Sequence, residues 1–387
     1  MNINTSDRLK KLPPYLFAEL DRLKKKEIAR GKDIIDLGVG DPDQPTPGYI
    51  IEELKKTVDD PATNNYSMSR GMDGLRSSIA VWYEKRFSVK LDPSKEILPL
   101  IGSKEGVSNI PLAFINPGDV VLVPDPCYPP YKSGTIFAGG EVYLMPLLEK
   151  NGFLPDLESI DKAVLTQAKM MFLNYPNNPT TAVASREFFD KVIDFAAKNN
   201  IIVCHDAAYS EIYFDGYRPT SFLEAKGAKK VGVEFHSLSK TYNMTGWRIG
   251  FACGNAEIIE GLRRIKSNID SGIFQPIQFA GIRALESRQD SVAEVRGLYQ
   301  QRRDILLAGL DSKGWKFFRP QATFYLWMPV LPGYNSSELS RLFLKKLEIV
   351  VTPGVGFGEN GEGYIRMSLT VPTERLKEAV ERIKRFN

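Results

Sequence analysis

The sequence predicts an α/β protein with a large, mainly parallel sheet and a smaller α+β domain. The chain is 387 residues long, which is more than one hydrophobic core usually covers, so two domains are expected. Short apolar runs alternate with helical stretches in its middle portion, as strands buried on both faces of a parallel sheet do. The predicted strands are Val120–Val123, Met170–Asn174, Ile201–His205, Val233–Ser237 and Ile249–Cys253.

The remaining elements are predicted in order along the chain. Apolar spacing indicates helices near the N-terminus, between two of the strands, after the sheet and at the C-terminus. These helices are Tyr15–Arg30, Ser185–Lys198, Ser291–Leu310 and Pro372–Phe386, and further short segments lie at Ile34–Leu37, Lys316–Pro320, Ala322–Met328, Ile349–Thr352 and Gly363–Ser368. We therefore predict an N-terminal arm and part of the small domain in residues 1–45, a large domain in 46–285 and a small C-terminal domain in 286–387.

Composition argues against several classes of protein. Hydrophobic residues make up 43% and charged residues 25%, and the net charge is +4, all ordinary for a globular protein. No basic run interleaved with aromatics predicts nucleic-acid binding, and no stretch approaches the roughly 18 apolar residues of a membrane span. The first eleven residues lack the apolar core of a secretion signal, which favours the cytoplasm. The three cysteines are odd in number and widely separated, so neither a disulfide framework nor a metal site is expected.

A lysine follows directly after a predicted strand in the stretch 237–250, SLSKTYNMTGWRIG. Such a lysine, Lys240, can bond covalently to an aldehyde cofactor when its amine is deprotonated. The hydroxyls beside it and Arg248, eight residues later, are groups that hold a phosphate. A lysine alone is usually a solvated surface charge, but a surface loop does not need this set of residues.

Three further motifs stand out, two of them directly after predicted strands, and each has an ordinary structural reading. The tandem Asn-Pro units at 174–181 are typical of a turn, and Asp206 is typical of a helix cap. The glycine-rich turn Ile101–Gly106 opens a helix whose amides could bind an anion. Because ligands of parallel sheets bind at the carboxyl ends of strands, the motifs are expected to share one site.

Together these motifs resemble the class I/II pyridoxal-phosphate-dependent aminotransferases, and the resemblance covers the whole chain in the family's order. It implies fold type I and pyridoxal 5′-phosphate as cofactor. Lys240 would hold the cofactor covalently, and Asp206 would keep its pyridine nitrogen protonated. The remaining cofactor contacts that the resemblance implies are Asn178 and Tyr209 to the phenolic O3′, Tyr128 on the ring face, and Ser103, Lys104, Ser237, Ser239 and Arg248 to the phosphate.

The resemblance also implies the substrate and partner contacts. Arg366 matches the arginine that grips the substrate α-carboxylate. Tyr66 matches a tyrosine that reaches the phosphate of the other subunit, which implies a homodimer with shared sites. Thr181 departs from the family, which commonly has glycine there. Both histidines, His205 and His236, are expected to pack behind the site rather than to bind a metal.

Within the family, the opening LPPYLF, the DLGVGDP turn and the lysine motif resemble the LL-diaminopimelate aminotransferases. That branch converts LL-2,6-diaminopimelate and 2-oxoglutarate to tetrahydrodipicolinate and glutamate in lysine biosynthesis. Candidate substrate contacts are Gly40, Asn178 and Arg366, with Tyr15, Glu105 and Gln275 for the distal end. The alternatives are an aspartate, alanine or aromatic aminotransferase, a carbon–sulfur lyase of the same fold, and a regulatory protein of aminotransferase type without activity.

Overall fold

The computed structural model describes Met1, residues 3–12 and residues 16–386. Its strands are β1 (Ile35–Asp36), β2 (Ile97–Leu100), β3 (Val120–Asp125), β4 (Glu141–Pro146), β5 (Ala168–Asn174), β6 (Ile202–Asp206), β7 (Gly232–Ser237), β8 (Gly250–Gly254), β9 (Tyr325–Pro329), β10 (Ile349–Val350), β11 (Thr352–Pro353) and β12 (Tyr364–Ser368). Its helices are α1 (Asp7–Lys10), α2 (Leu16–Ile28), α3 (Gly48–Val58), α4 (Asp73–Phe87), α5 (Ser103–Phe114), α6 (Pro130–Ala138), α7 (Lys162–Leu165), α8 (Arg186–Asn199), α9 (Ala228–Val231), α10 (Leu238–Thr241), α11 (Ala256–Ile269), α12 (Gln275–Glu286), α13 (Asp290–Asp311), α14 (Ser336–Leu342) and α15 (Thr373–Lys384).

A seven-stranded sheet forms the larger part of the fold, in the order β2-β8-β7-β6-β5-β3-β4. Strand β8 runs antiparallel to both its neighbours, and every other pairing is parallel. Alternate residues of the inner strands point to opposite faces, as the pleat requires. Met171 and Leu173 join one apolar cluster with α4, α8 and α12, whereas Met170 and Phe172 join another with α5 and α11. The sheet is therefore covered on both faces, as predicted.

The carboxyl ends of the inner strands bring polar residues to one edge of this sheet. Strands β5, β6 and β7 end at Asn174, Asp206 and Ser237. The antiparallel β8 begins at the same edge with Gly250, where an added Cβ would lie 2.8 Å from the backbone nitrogen of Ser103. Glycine is needed at that position because the start of α5 packs directly against the strand.

A second layer is built from both ends of the chain. Strands β11, β12 and β9 form an antiparallel sheet, and β1 pairs in parallel with β10, so that Ile35 lies opposite Ile349. Helices α13 and α15 cover these strands and share a separate apolar cluster with them. The domain boundaries at 45/46 and 285/286 stay a prediction.

The five strands predicted for the large sheet are confirmed to within two residues at each end. The predicted helices are confirmed among the described residues, with Tyr15 lying outside them. The short segment Lys316–Pro320 has no regular secondary structure and pairs with none of the described strands. Across the described ranges, none of the helices has the length and apolar character needed to cross a membrane.

Candidate active site

A cavity of about 630 Å³ opens at the carboxyl edge of the large sheet, facing β9 and β12. Most of the residues predicted for the site line it together. These are Gly40, Ser103, Lys104, Tyr128, Asn178, Asp206, Tyr209, Ser237, Ser239, Lys240, Arg248 and Arg366. The sequence argument missed Val39, Tyr131, Asn174, Ala208, Thr245, Tyr325 and Phe357, which line the same cavity.

Lys240 lies in α10, directly after β7, and its Nζ donates to the carbonyl of Gly40 at 3.3 Å. Burial lowers the pKa of its amine to about 8; Asp41 acts against this shift, and Arg248 and Arg366 act with it. About a tenth of the amine is therefore neutral at pH 7, which supplies the deprotonated form that a nucleophilic lysine requires.

One end of the cavity is an anion site made of backbone amides, hydroxyls and a guanidinium. Gly102 precedes α5 with a φ of 73°, and a Cβ there would overlap the Arg248 guanidinium. The absence of a side chain lets Arg248 lie against the amino end of that helix, where the macrodipole favours negative charge. Lys104 and the hydroxyls of Ser103, Ser237 and Ser239 line the same region. A phosphate dianion fits this set of donors.

Asp206 lies at the end of β6 and is 5% exposed. Burial raises the pKa of this carboxyl, while a hydrogen bond from Tyr131 acts in the opposite direction. The Tyr131 hydroxyl donates to Asp206 Oδ2 at 2.9 Å, and its ring stacks on Phe172. A buried acid held in this way can pair with a protonated ring nitrogen.

Asn178 and Arg366 meet on the other side of the cavity. Arg366 is 2% exposed, and its Nη1 donates to Asn178 Oδ1 at 2.7 Å while its Nη2 donates to the Gly38 carbonyl at 2.8 Å. The turn that carries Asn178 is held by Asn174, whose Oδ1 accepts the Asn178 amide. Thr181, in the same turn, has a φ of 63°, a left-handed conformation that favours glycine.

Two tyrosines connect the sheet edge to β9. The hydroxyls of Tyr209 and Tyr325 lie 3.2 Å apart, and both residues are buried. The Arg366 guanidinium lies over the Tyr325 ring, 4.1 Å from its centroid. Tyr325 was missed because its sequence neighbours read only as a buried strand.

The residues 36–43 form a loop that faces Lys240 and Arg366 through its carbonyl groups. Asp36 accepts the amides of Gly38 and Val39, which sets the turn. Asp43 forms a two-pronged ion pair with Arg302 of α13, at 2.7 and 2.8 Å. The loop is thus attached to the C-terminal layer, while Lys240 belongs to the large sheet.

Three of the sequence candidates do not line this cavity. Glu105 is not among the cavity-lining residues: its Oε2 accepts the Ile101 amide and the Lys266 ammonium at the start of α5. Gln275 donates to the Asn65 carbonyl, away from this chain's cavity, and Tyr66 beside it is 89% exposed. Tyr15 lies outside the described residues.

Both histidines contact the buried carboxylate of Glu234. His205 Nδ1 and His236 Nε2 lie 2.8 and 2.6 Å from Glu234, which also accepts from the Tyr83 hydroxyl. Although burial by itself raises the pKa of Glu234, the hydrogen bonds from the two histidines hold it well below its usual range. Among the residues described, no three potential metal ligands cluster.

A protein-family model described as aminotransferase class I and II matches residues 32–383 of the chain. The chain belongs to this family. The aminotransferase is 59% identical to an LL-diaminopimelate aminotransferase from Syntrophobacter fumaroxidans over 99% of this chain and 98% of that protein. It is 54% identical to the one from Desulforudis audaxviator, with the same coverage. The substrate-bound structure of BacF from Bacillus subtilis superimposes with a TM-score of 0.94 at 41% identity, covering 99% of this chain and 98% of that chain.

The fold is therefore that of the type I pyridoxal-phosphate enzymes, and pyridoxal 5′-phosphate is the cofactor of this aminotransferase. The cavity fits that group. Its lining brings together cationic and hydroxyl groups suited to a phosphate, a buried carboxyl and a lysine with a lowered pKa.

Proposed function

We propose that this aminotransferase converts LL-2,6-diaminopimelate and 2-oxoglutarate to tetrahydrodipicolinate and glutamate, a step of lysine biosynthesis. The observation that carries the proposal is the near-full-length identity above 50% to two proteins that bear this activity in their names. The cavity is compatible with it, because polar and charged side chains make up much of its lining.

The proposed cofactor contacts follow from where each group lies. Ser103, Lys104, Ser237, Ser239 and Arg248 hold the phosphate at the anion site. Asp206 pairs with the pyridine nitrogen, and Tyr128 covers the ring. Asn178 and Tyr209 direct their side-chain donors to O3′.

When bound, pyridoxal phosphate withdraws electrons from the substrate α-carbon so that its proton can leave. The chain's own residues do the rest. Lys240 Nζ would take up the proton that leaves the substrate α-carbon, which needs the neutral amine that burial favours. Arg366 holds the α-carboxylate of donor and acceptor alike, with Asn178 and the Gly38 carbonyl fixing the plane of its guanidinium. That orientation selects which bond at the α-carbon lies ready to break.

We also propose a homodimer whose two copies share their sites. The segments 65–68 and 269–275 lie side by side and expose Tyr66, Met68, Ile269 and Phe274. An exposed apolar patch of this kind favours burial against another protein surface. Tyr66 and Gln275 are both at this patch, so we propose that they complete the cavity of the other copy, Tyr66 at its phosphate.

Mixing two inactive variants tests the shared site. Lys240→Ala lacks the covalent attachment, and Tyr66→Ala lacks the phosphate contact. When the two are unfolded and refolded together, a hybrid dimer has one site with both native residues, so activity should return to about a quarter of the native value in a random mixture. Activity that stays at the sum of the separate variants would contradict the shared site.

A cytoplasmic location is part of the proposal. All three cysteines are buried and unbonded, as expected of a chain that works in a reducing compartment.

The substrate is tested by a coupled assay with LL-diaminopimelate and 2-oxoglutarate, which should give glutamate. Aspartate, alanine and aromatic amino acids serve as comparison amino donors in the same assay, and they should give little glutamate. Efficient use of one of them would reassign the substrate. Pyruvate released from cystathionine would identify a carbon–sulfur lyase instead.

A further inference from the structure

Tyr325 contacts three parts of the site at once. It lies at the start of β9, is 3% exposed, and its hydroxyl lies 3.2 Å from that of Tyr209. Its ring supports the Arg366 guanidinium from 4.1 Å. A Cβ added to Gly40 would overlap the Tyr325 hydroxyl, so the loop that faces Lys240 also rests on this side chain.

The hydroxyl pair has only two protons to distribute. Each phenol donates one hydrogen bond and accepts others. If Tyr209 gives its proton to the cofactor O3′, then the short contact between the tyrosines can be a hydrogen bond only when Tyr325 donates to the Tyr209 oxygen. A donor that itself accepts a hydrogen bond becomes a stronger donor, because the two bonds polarise each other.

We infer that Tyr325 is a positioning residue with two separable roles: its hydroxyl directs the Tyr209 proton to O3′, and its ring fixes the Arg366 fork. This inference rests on the proposed cofactor contacts and deepens them. The hydroxyl acts on the Lys240–cofactor linkage, since stronger donation to O3′ lowers the pKa of that linkage. The ring acts on carboxylate binding, since a cation held over an aromatic face keeps its plane.

Two variants separate the roles. Tyr325→Phe keeps the ring and removes the hydroxyl. We expect the pKa of the Lys240–cofactor linkage, read from its absorbance in a pH titration without substrate, to rise by about 0.5 unit. The KM for 2-oxoglutarate should change less than about twofold. Tyr325→Met removes the ring as well, so binding of glutarate, a carboxylate without a reacting group, should weaken about fivefold.

Tyr299→Phe is the matched control. Tyr299 is fully buried in the same apolar cluster and packs on Phe324, and within the described part of the chain its hydroxyl has no hydrogen-bond partner. This variant should leave both the linkage pKa and glutarate binding unchanged.

The outcomes decide each role separately. A linkage pKa in Tyr325→Phe equal to that of Tyr299→Phe overturns the hydroxyl role. Unaltered glutarate binding in Tyr325→Met overturns the ring role. The thermal midpoint of each variant shows whether it is folded, and the hydroxyl test stands on the Phe variant alone. The titration uses no amino donor, so its result does not depend on which substrate the coupled assay selects. A wild-type protein with no titrating chromophore would refute the proposed cofactor contacts instead.

Discussion

Lys240 carries a stability cost that its chemistry requires. Its folded pKa is about 8, against 10.5 for the free side chain. Between these values the unfolded chain binds the proton and the folded one does not, so stability rises with pH across that window. Below pH 8 the cost of burying the ammonium is fully present.

Lys240→Met should therefore stabilise the cofactor-free protein. We expect its free energy of unfolding at pH 7 to increase by about 3 kcal/mol, and the gain to vanish near pH 10.5. Urea denaturation at both pH values measures this. Lys104→Met, an exposed lysine of the same cavity, should change little. An equal gain in both variants, or one that persists at high pH, would contradict the burial argument.

Arg366 uses both prongs of its guanidinium within the protein, on Asn178 and on Gly38. Lysine keeps the charge but cannot reproduce the planar fork. Arg366→Lys should lower kcat/KM for glutamate and for LL-diaminopimelate together, on the order of tens-fold, since a charged hydrogen bond contributes roughly 1.5–3 kcal/mol. Cofactor absorbance should stay intact. Steady-state kinetics on both half-reactions measure the effect, and a loss confined to one substrate would mean that Arg366 contacts a distal group.

At the scale of the elements, the turn 174–181 holds a β-branched residue in a left-handed conformation. Thr181 has a φ of 63°, which costs a non-glycine residue roughly 1–2 kcal/mol. Thr181→Gly removes this strain and so stabilises the folded protein. Part of that stabilisation is offset because glycine makes the unfolded chain more flexible. We expect a net stabilisation of about 0.5 kcal/mol, measured by thermal unfolding, with cofactor binding unchanged.

Thr180→Gly is the control for this turn. The Thr180 hydroxyl donates to Asn177 Oδ1 at 2.8 Å, so its removal should destabilise the protein by about 1 kcal/mol. If both glycines destabilised the turn equally, the left-handed Thr181 would not be a source of strain.

The elements that the sequence predicts well are those whose burial is uniform. The inner strands β3, β5 and β6 contain continuous apolar runs, and β7 is buried along its whole length although it carries Glu234 and His236. The site residues at the strand ends follow from that register. Strand β4 was not predicted, because it lies at the sheet edge and most of its residues are partly exposed. Strand β2 was not predicted because it contains Pro99, which is tolerated at an edge.

The missed site residues share a different cause. Tyr325 meets Tyr209 across 116 positions of the chain, and Tyr131 meets Asp206 across 75. No local pattern encodes such contacts, since they depend on the packing of two layers. Glu105 is the opposite case. Its place at the start of α5 suggested a ligand contact, but its carboxylate pairs with Lys266 of α11 instead.

At the scale of the whole molecule, one ion pair fastens the loop 36–43 to the C-terminal layer. Arg302 is 2% exposed and pairs with Asp43. Asp43→Asn leaves the guanidinium buried without its counter-charge, which should cost about 3 kcal/mol of unfolding free energy. The KM for 2-oxoglutarate should also rise severalfold, because this loop carries the Gly38 carbonyl that orients Arg366.

The exposed Asp33 gives the matching control. It pairs with Arg375 and Arg382 at the surface and is 61% exposed, so Asp33→Asn should cost less than about 1 kcal/mol and leave KM unchanged. Chemical denaturation and kinetics on both variants make the comparison. Equal costs would mean that the Asp43 pair contributes no more than a surface contact.

The pairing of β1 with β10 has a consequence for how the enzyme is made. Arg366 follows Gly38 by 328 residues, yet the two share a hydrogen bond, and the Leu37 carbonyl accepts the Ser368 amide. During translation, the loop that faces Lys240 leaves the ribosome early, whereas Arg366 and Ser368, which it contacts, emerge almost last. A nascent chain stopped short of β12 therefore lacks Arg366, the proposed carboxylate contact, however much of the seven-stranded sheet it has formed. On this proposal, catalysis would begin only when synthesis is nearly complete.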